Sequence, residues 1–338
     1  MTIQHRQAPV LYETDFDTWT VKRTGMNRYI TIDVGGTAIK YGLIDEDAHL
    51  CLKARTATEA EKGGPHILSK VLKIIETISK DNPDVRGVCV SSTGMIDIHT
   101  GSIFNANGTI PGLIGINYKK AVEDRFHLPC EVENDVNCAG LSESLLGSAR
   151  GYESVLCMTI GTGIGGCFIY KGQVYHGHTG SACEIGYMNM DGTAFENLGS
   201  TQALIRKVNS RKNHNTDGQQ NRYNTYNGKA IFEAARNGDR ISIEAIDEMC
   251  DILGRGIANI CYILNPAIVV LGGGIMAQTE YLYPRLRRAM GQYLVSSIAS
   301  KTELRLAENG NDAGMIGAYL HYCQMQGKAR QTTGTNYS

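Results

Sequence analysis

The sequence predicts an α/β protein made of two related halves, and three observations carry that expectation. A strand, a glycine turn and a second strand run from Tyr29 to Ile44, and the same layout returns between Ser154 and Tyr170. Stretches with helical spacing and stretches with strand-like composition alternate through the rest of the chain. With 338 residues the chain is long enough for two domains that each bury a full core.

Taken in order, residues 1–26 show no clear period and read as an N-terminal extension, with the fold starting near Asn27. Tyr29–Asp33 is a β-rich run, Val34–Thr37 turns, and Ala38–Ile44 resumes the strand, which makes a hairpin. Pro65 suits a helix start, and Ile67, Val71, Ile74, Ile75 and Ile78 follow at helical spacing. Arg86–Ser91 reads as a strand, and Leu128–Glu133 as another that runs into Asn134, Asp135 and a helix carrying Cys138, Leu141 and Leu145. In the second hairpin Ser154–Ile160 is a strand, Gly161–Gly166 the turn and Cys167–Tyr170 the return. Arg206–Asn227 is polar and rich in Asn and Gln, and is expected to be a loop or a helix end. Ile243, Ile246, Met249, Leu253, Ile257, Ile260 and Leu264 mark one long amphipathic helix closed by Asn265-Pro266. Ala267–Leu271 is a buried strand ending at Gly272–Gly274, Leu304–Leu306 a last strand and Asp312–Tyr322 a last helix. The expected domains are 27–133 and 134–322, the last helix being able to pack back on the first, with 323–338 as a tail.

Composition excludes several classes. Lys and Arg number 33 against 34 Asp and Glu, a net charge of −1, so no global field draws the chain to nucleic acid or to an anionic membrane. The apolar run Val155–Tyr170 is interrupted by four glycines and falls short of the roughly 18–20 residues of a spanning helix. The first residues lack the apolar core of a signal peptide. Ten cysteines include Cys89, Cys138, Cys157, Cys167 and Cys261 inside apolar stretches, and no C-x-x-C occurs, so they read as reduced thiols of a cytoplasmic protein. Glycine is in excess, 39 residues where usage of roughly 7 per cent gives about 24.

The two glycine turns place backbone N–H groups where no side chain blocks a phosphate. Asp33 adds a carboxylate at the mouth of the first turn that could hold Mg²⁺ through water. Gly161-x-Gly163-x-x-Gly166 also fits the dinucleotide fingerprint, but that fingerprint needs a helix straight after the turn and Cys167–Tyr170 has strand character. No P-loop motif is present. Asp135, at a strand-to-helix junction, is either a helix cap or a general base. Its company of Asn134, Asn105, Asn107, Glu184 and Glu196 supplies the amides and carboxylates that bind sugar hydroxyls. His176 and His178 have no third ligand pattern nearby and read as loop residues.

Together, Asp33-x-Gly35-Gly36-Thr37, Glu133-Asn134-Asp135-x-Asn137, Thr159–Gly166, Glu184-Ile185-Gly186, Leu271–Gly274 and Asn311-Asp312-Ala313-Gly314 resemble the ROK family of bacterial sugar kinases and sugar-responsive repressors. The resemblance runs in order from Asn27 to Tyr322. It implies two RNase H-like domains of the actin-like ATPase kind with a nucleotide and sugar cleft between them, ATP and Mg²⁺ as cofactors, and a homodimer. By that resemblance Asp33, Gly35, Gly36, Thr37, Gly161, Thr162 and Gly163 face the phosphates and Gly272, Gly273 and Gly274 the adenosine. Asp135 is then the base, and Asn107, Asn134, Glu184 and Glu196 bind the sugar, Glu196 being placed by the similarity of Glu196–Ser200 to the family's Glu-Ala-Tyr-Ala-Ser stretch.

Two departures refine the resemblance. Many members carry a zinc site made by a His after Glu-Ile-Gly and three cysteines. Here that position is Tyr187 and Met188–Phe195 holds no cysteine, which implies a zinc-free branch and an altered sugar contact at Tyr187. The repressors carry an N-terminal helix-turn-helix domain, whereas about 25 residues precede the first strand here, with Pro9 and an acidic Glu13–Asp17 segment. The segments Glu184–Met188 and Gly310–Ala318 are most similar to the β-glucoside kinases. The expectation is an ATP-dependent phosphotransferase acting on a hexose or β-glucoside hydroxyl, at C6. The alternatives are an N-acetylmannosamine kinase, glucokinase or fructokinase of the same family, or a non-catalytic sugar sensor.

Overall fold

The computed structural model describes residues 27–214 and 226–327. The proposed extension at 1–26, and the parts of the Arg206–Asn227 segment and of the tail at 215–225 and 328–338, lie outside them. The chain forms two compact units, one of 27–142, 177–180 and 311–327, the other of Glu143–His176 and Ser181–Gly310 among the described residues.

In the first unit, β1 (Arg28–Val34), β2 (Ala38–Asp45), β3 (Leu50–Ala57), β4 (Val85–Ser92) and β5 (Cys130–Asn134) form a sheet in the order β3-β2-β1-β4-β5. The hairpin pairs β1 and β2 antiparallel, with Asp33 opposite Lys40, whereas β1, β4 and β5 run parallel. A parallel strand is covered on both faces, so its alternate residues enter two different cores. Ile30, Ile32 and Val34 pack with Ile67, Val71, Ile75 and Ile78 of α1 (Gly64–Asp81). On the other face Tyr29 and Cys89 pack with Ala318, Tyr319 and Tyr322 of the C-terminal helix Ala313–Met325. The rings of Tyr319 and Tyr322 sit 5.1 and 5.3 Å from that of Tyr29. Lys53 on β3 pairs with Asp312 at 2.8 Å, just before that helix.

In the second unit, β6 (Ser154–Ile160), β7 (Ile164–Tyr170), β8 (Gln173–Val174), β9 (Ile268–Gly272) and β10 (Glu303–Leu306) have the order β8-β7-β6-β9-β10, again two antiparallel and two parallel pairings. The duplication read from the two hairpins therefore extends to the whole of both sheets. The long helix spans Arg240–Leu264, capped by the Asp239 carboxylate on the Ser242 N–H at 3.0 Å and ended by Asn265 in the left-handed region. Its buried face, with Ile246, Met249, Leu253 and Ile257, lies in one core with Leu156, Met158, Val269 and Leu271.

Three expectations need correction. The boundary falls after Ser142, inside α2 (Asp135–Leu146), and not at 133/134, because the first turns of that helix pack on the first sheet through Cys138. The C-terminal helix, which was expected to be able to pack on the first domain and falls in the first unit, extends to Met325, beyond the expected tail boundary at 323. The second glycine turn is shorter than expected: β7 begins at Ile164, so Gly165 and Gly166 pair within the strand. Arg206–His214 forms the end of a helix, Thr201–His214, one of the two alternatives read from the sequence. The strand Leu50–Ala57, an edge strand of mixed exposure with little alternation to read, went unrecognised in the sequence.

At Gly317 the C-terminal helix comes close to another part of the first unit, the start of α2. A Cβ there would collide with the carbonyl oxygen of Cys138 on α2, an atom fixed in the helix backbone. Gly317→Ala is expected to lower stability by about 1–3 kcal/mol, as overpacking does. A thermal melt that matches the wild type would contradict this.

Candidate active site

In parallel sheets ligands collect at the carboxyl ends of the strands. In the first unit those ends are aligned by register: Val34 stands beside Ser92, and Ser92 beside Asn134. The glycine turn after β1 and the Asp135 junction after β5 are thereby set two strands apart on one edge, roughly 10 Å at the usual strand spacing.

At the turn, the Asp33 carboxylate accepts from Ser91 Oγ at 2.8 Å and pairs with Lys40 Nζ at 2.9 Å. Helix backbone closes over it, since a Cβ on Gly314 would lie 2.6 Å from Asp33 Oδ1. Thr58, fully buried, donates its hydroxyl to the Gly35 carbonyl at 2.6 Å and its N–H to the Thr37 carbonyl at 2.9 Å. The turn's carbonyls are so tied down on one side, while nothing lies within 4 Å of the Cβ position of Gly36. The donor set fits a phosphate. It fits Mg²⁺ only at one remove, because both Asp33 oxygens already have partners and direct ligation would displace an ammonium.

At the junction, Asn134 Oδ1 accepts the N–H groups of Val136 and Asn137 at 2.9 and 3.1 Å, and Asn134 Nδ2 donates to the Gly94 carbonyl at 2.9 Å. Asn134 is therefore the main cap of α2. Asp135 is the first helical residue, half-buried, with Oδ1 accepting its neighbour's N–H at 3.0 Å. The cap alternative for Asp135 loses its force. Asn107 lies on an exposed loop, its Oδ1 accepting from the N–H and hydroxyl of Thr109 at 3.2 and 2.8 Å, and Asn105 is likewise exposed.

In the second unit, the turn Gly161–Gly163 closes with Gly161 N–H on the Gly163 carbonyl at 3.0 Å, and the Gly161 carbonyl accepts from Thr201 N–H at 2.9 Å. β7 follows it at once, so no helix is present for the dinucleotide reading. Thr159 pairs with Gly272, which brings the turn after β9 alongside. Gly273 has φ of 97°, and a side chain there would strike the Ile160 carbonyl, so glycine is required. Gly161 and Gly274 both have nothing within 4 Å of their Cβ positions, leaving backbone open to a ligand. Thr162 sits between the two glycines of the first of these turns.

Beside that turn three of the expected sugar residues gather. Glu196 Oε2 accepts from Ile164 N–H at 3.4 Å, and the lack of side chains at Gly163 and Gly186 makes room for it. Burial, and then the negative charge of Glu196, push the Glu184 carboxyl above its usual value. Burial, then Glu184 and Glu196, raise the phenol of Tyr187, a residue that is 52% exposed. Among the described residues no three His, Cys, Asp or Glu side chains form a metal-binding group. A cavity of about 580 Å³ lies elsewhere in the first unit, lined by Tyr41, Leu52, His66, Lys70 and Ile74 among others, and by none of the motif residues.

Sequence reasoning missed Lys40, Ser91 and Thr58. Lys40 was recoverable, since a hairpin turning at Gly35–Thr37 sets it opposite Asp33. Thr58 carries no local signal, because its role depends on where β3 ends.

Two sheets of the same five-strand order, each with glycine turns at its carboxyl edge, define a protein of the actin-like ATPase fold. The chain belongs to the ROK family, whose model matches residues 29–324. An uncharacterised protein of Clostridium perfringens is 43% identical over 88% of this chain and 98% of its own length. A glucokinase of Halalkalibacterium halodurans is 30% identical, covering 86% of this chain and 93% of that protein. A β-glucoside kinase of Klebsiella pneumoniae is also 30% identical, over 87% and 95%. The crystal structure of a ROK family glucokinase from Streptomyces griseus, in complex with glucose and AMPPNP, superposes with a TM-score of 0.73 at 27% identity, covering 87% of this chain and 98% of that one.

The raised Glu184 carboxyl gives a pH prediction. A carboxylate that accepts from a sugar hydroxyl loses that ability on protonation, and Glu184 takes up its proton at a higher pH than an ordinary Glu. Sugar affinity measured by calorimetry is expected to weaken on acidification while most other carboxylates are still ionised, and Glu184→Gln should remove that step. An identical pH profile in the variant would exclude Glu184 as its source.

Proposed function

We propose that this ATP-dependent sugar kinase transfers the γ-phosphate to the C6 hydroxyl of a hexose or β-glucoside, with Asp135 as general base. The observation that carries the proposal is the placement of Asp135: a carboxylate not needed as the main cap, at a helix N-terminus, on the same sheet edge as the glycine turn after β1. A sugar hydroxyl is a weak acid, so Asp135 accepts its proton as the oxygen bonds to phosphorus. Asn107, Asn134, Glu184, Tyr187 and Glu196 are the proposed sugar contacts. One Asn134 Nδ2 hydrogen is committed to Gly94, and the amide's second hydrogen is the donor offered to a hydroxyl. The backbone of the turns Gly35–Thr37 and Gly161–Gly163 holds phosphate oxygens through N–H groups other than those of Gly35 and Gly161, which close the turns on the Ala38 and Gly163 carbonyls, and Gly272–Gly274 takes the adenosine. Asp33 would hold Mg²⁺ through water, and the ion would supply neutralisation of the phosphate charge. A cytoplasmic homodimer completes the proposal.

Glucokinase and β-glucoside kinase relatives stand at the same identity, 30% each, so the acceptor is put as their shared chemistry, a glucosyl C6 hydroxyl. A non-catalytic sensor is disfavoured because Asp135 and both phosphate turns are intact.

Asp135→Asn tests the reading. Turnover in a coupled ADP-release assay is expected to fall by roughly 10²–10⁴, the usual worth of a general base, while sugar affinity stays within a few-fold. A variant with near-normal turnover would remove Asp135 from the role.

A further inference from the structure

The junction that carries Asp135 is braced from below by a buried charged group. Glu133, the fourth residue of β5, has a side chain 1% exposed. Its Oε1 accepts from the Asn134 N–H at 2.7 Å and from Asn137 Nδ2 at 3.0 Å, the residues on either side of the Asp135-Val136 pair. Its Oε2 faces Nδ1 of His321 at 3.4 Å, and the His321 side chain is 3% exposed. His321 lies on the C-terminal helix, seven residues after Gly314 and four after Gly317, and helical spacing puts all three on one face. Gly314 meets the Asp33 carboxylate and Gly317 the Cys138 backbone of α2, while the Met315 carbonyl accepts from Thr31 Oγ1 at 2.6 Å.

A carboxylate and an imidazole in a core gain little stability over apolar residues of the same volume, because desolvation offsets their attraction. Their distinguishing property is direction. Glu133 can hold the Asn134 N–H and the Asn137 amide at fixed angles only if its own rotamer is fixed, and His321 supplies that from the helix that also closes over Asp33. We infer that His321 is a positioning residue for phosphoryl transfer: acting through Glu133, it registers the Asp135 junction against the phosphate turn, and the C-terminal helix is the common reference for both. The inference rests on the reading of Asp135 as the base.

The test compares His321→Leu, His321→Asn and Glu133→Gln in the full chain, measuring kcat, the KM values for ATP and sugar, and the melting temperature. Misplacing a catalytic group by an ångström can cost on the order of 10²-fold, so His321→Leu is expected to lower kcat by roughly 10- to 100-fold at a temperature where it is folded, with both KM values within about threefold. His321→Asn puts an amide N–H close to the place of Nδ1 and should restore most of kcat. A merely structural residue would move the melting temperature and leave kcat of the folded enzyme alone. Wild-type kcat in folded His321→Leu, or a loss that His321→Asn does not rescue, overturns the inference. Should His321→Leu fail to fold, Glu133→Gln decides: a fall in kcat at constant KM supports the inference and an unchanged kcat overturns it. Asp135→Asn measured alongside separates the two readings. If that variant turns over normally the base assignment fails, whereas an inactive Asp135→Asn with a fully active His321→Leu sinks only the positioning role.

Discussion

The close approach of the C-terminal helix to the rest of the first unit is the constraint that fixes the groups at the carboxyl edge of that unit's sheet. Side chains keep helix and sheet about 10 Å apart; glycine at 314 and 317 lets backbone come nearer at two points. One point is the Asp33 carboxylate and the other is the start of α2, behind Asp135. The tyrosines one and two turns further on fill the wider part of the same interface against Tyr29. A segment nearly 300 residues from β1 in sequence thus fixes the group at the end of β1, and it explains why the first unit is discontinuous in the chain.

Carboxylates are treated differently in each part of the structure, and the differences follow from what surrounds them. Asp33 is met by an ammonium and a hydroxyl and is held in place. Glu133 is buried deeper and meets two N–H donors and an imidazole, so it orients its neighbours. Burial raises the Glu184 carboxyl above its usual value, and the negative charge of Glu196 raises it further. A pair of neighbouring carboxylates is a poor device for stability and a good one for accepting hydrogen bonds from a polyol.

Much of this was legible in the sequence because the signals are local. A hairpin written as strand, glycine turn and strand announces itself within a dozen residues, and its repetition implied the duplicated sheet before any register was known. The long helix Arg240–Leu264 was readable for the same reason, a sustained apolar stripe between a cap and Asn265-Pro266. The residues that escaped act at a distance. Thr58 matters because β3 ends beside the turn after β1, and His321 because the last helix returns to β5. The edge strand β3 was missed since its half-exposed residues carry no alternation, and the domain boundary since α2 begins in one unit and ends in the other. Asn134 and Asp135 show the limit of motif reading, for adjacency alone could not tell which of them caps the helix.

The central claim is that phosphate and sugar residues serve one transfer to a glucosyl hydroxyl. The most direct measurement is phosphorus NMR of the products formed from ATP with glucose and, separately, with a β-glucoside such as cellobiose. A new phosphomonoester resonance coupled to the C6 protons is expected, appearing in step with ADP. ADP and inorganic phosphate without a sugar ester, or no reaction with either acceptor, would contradict it.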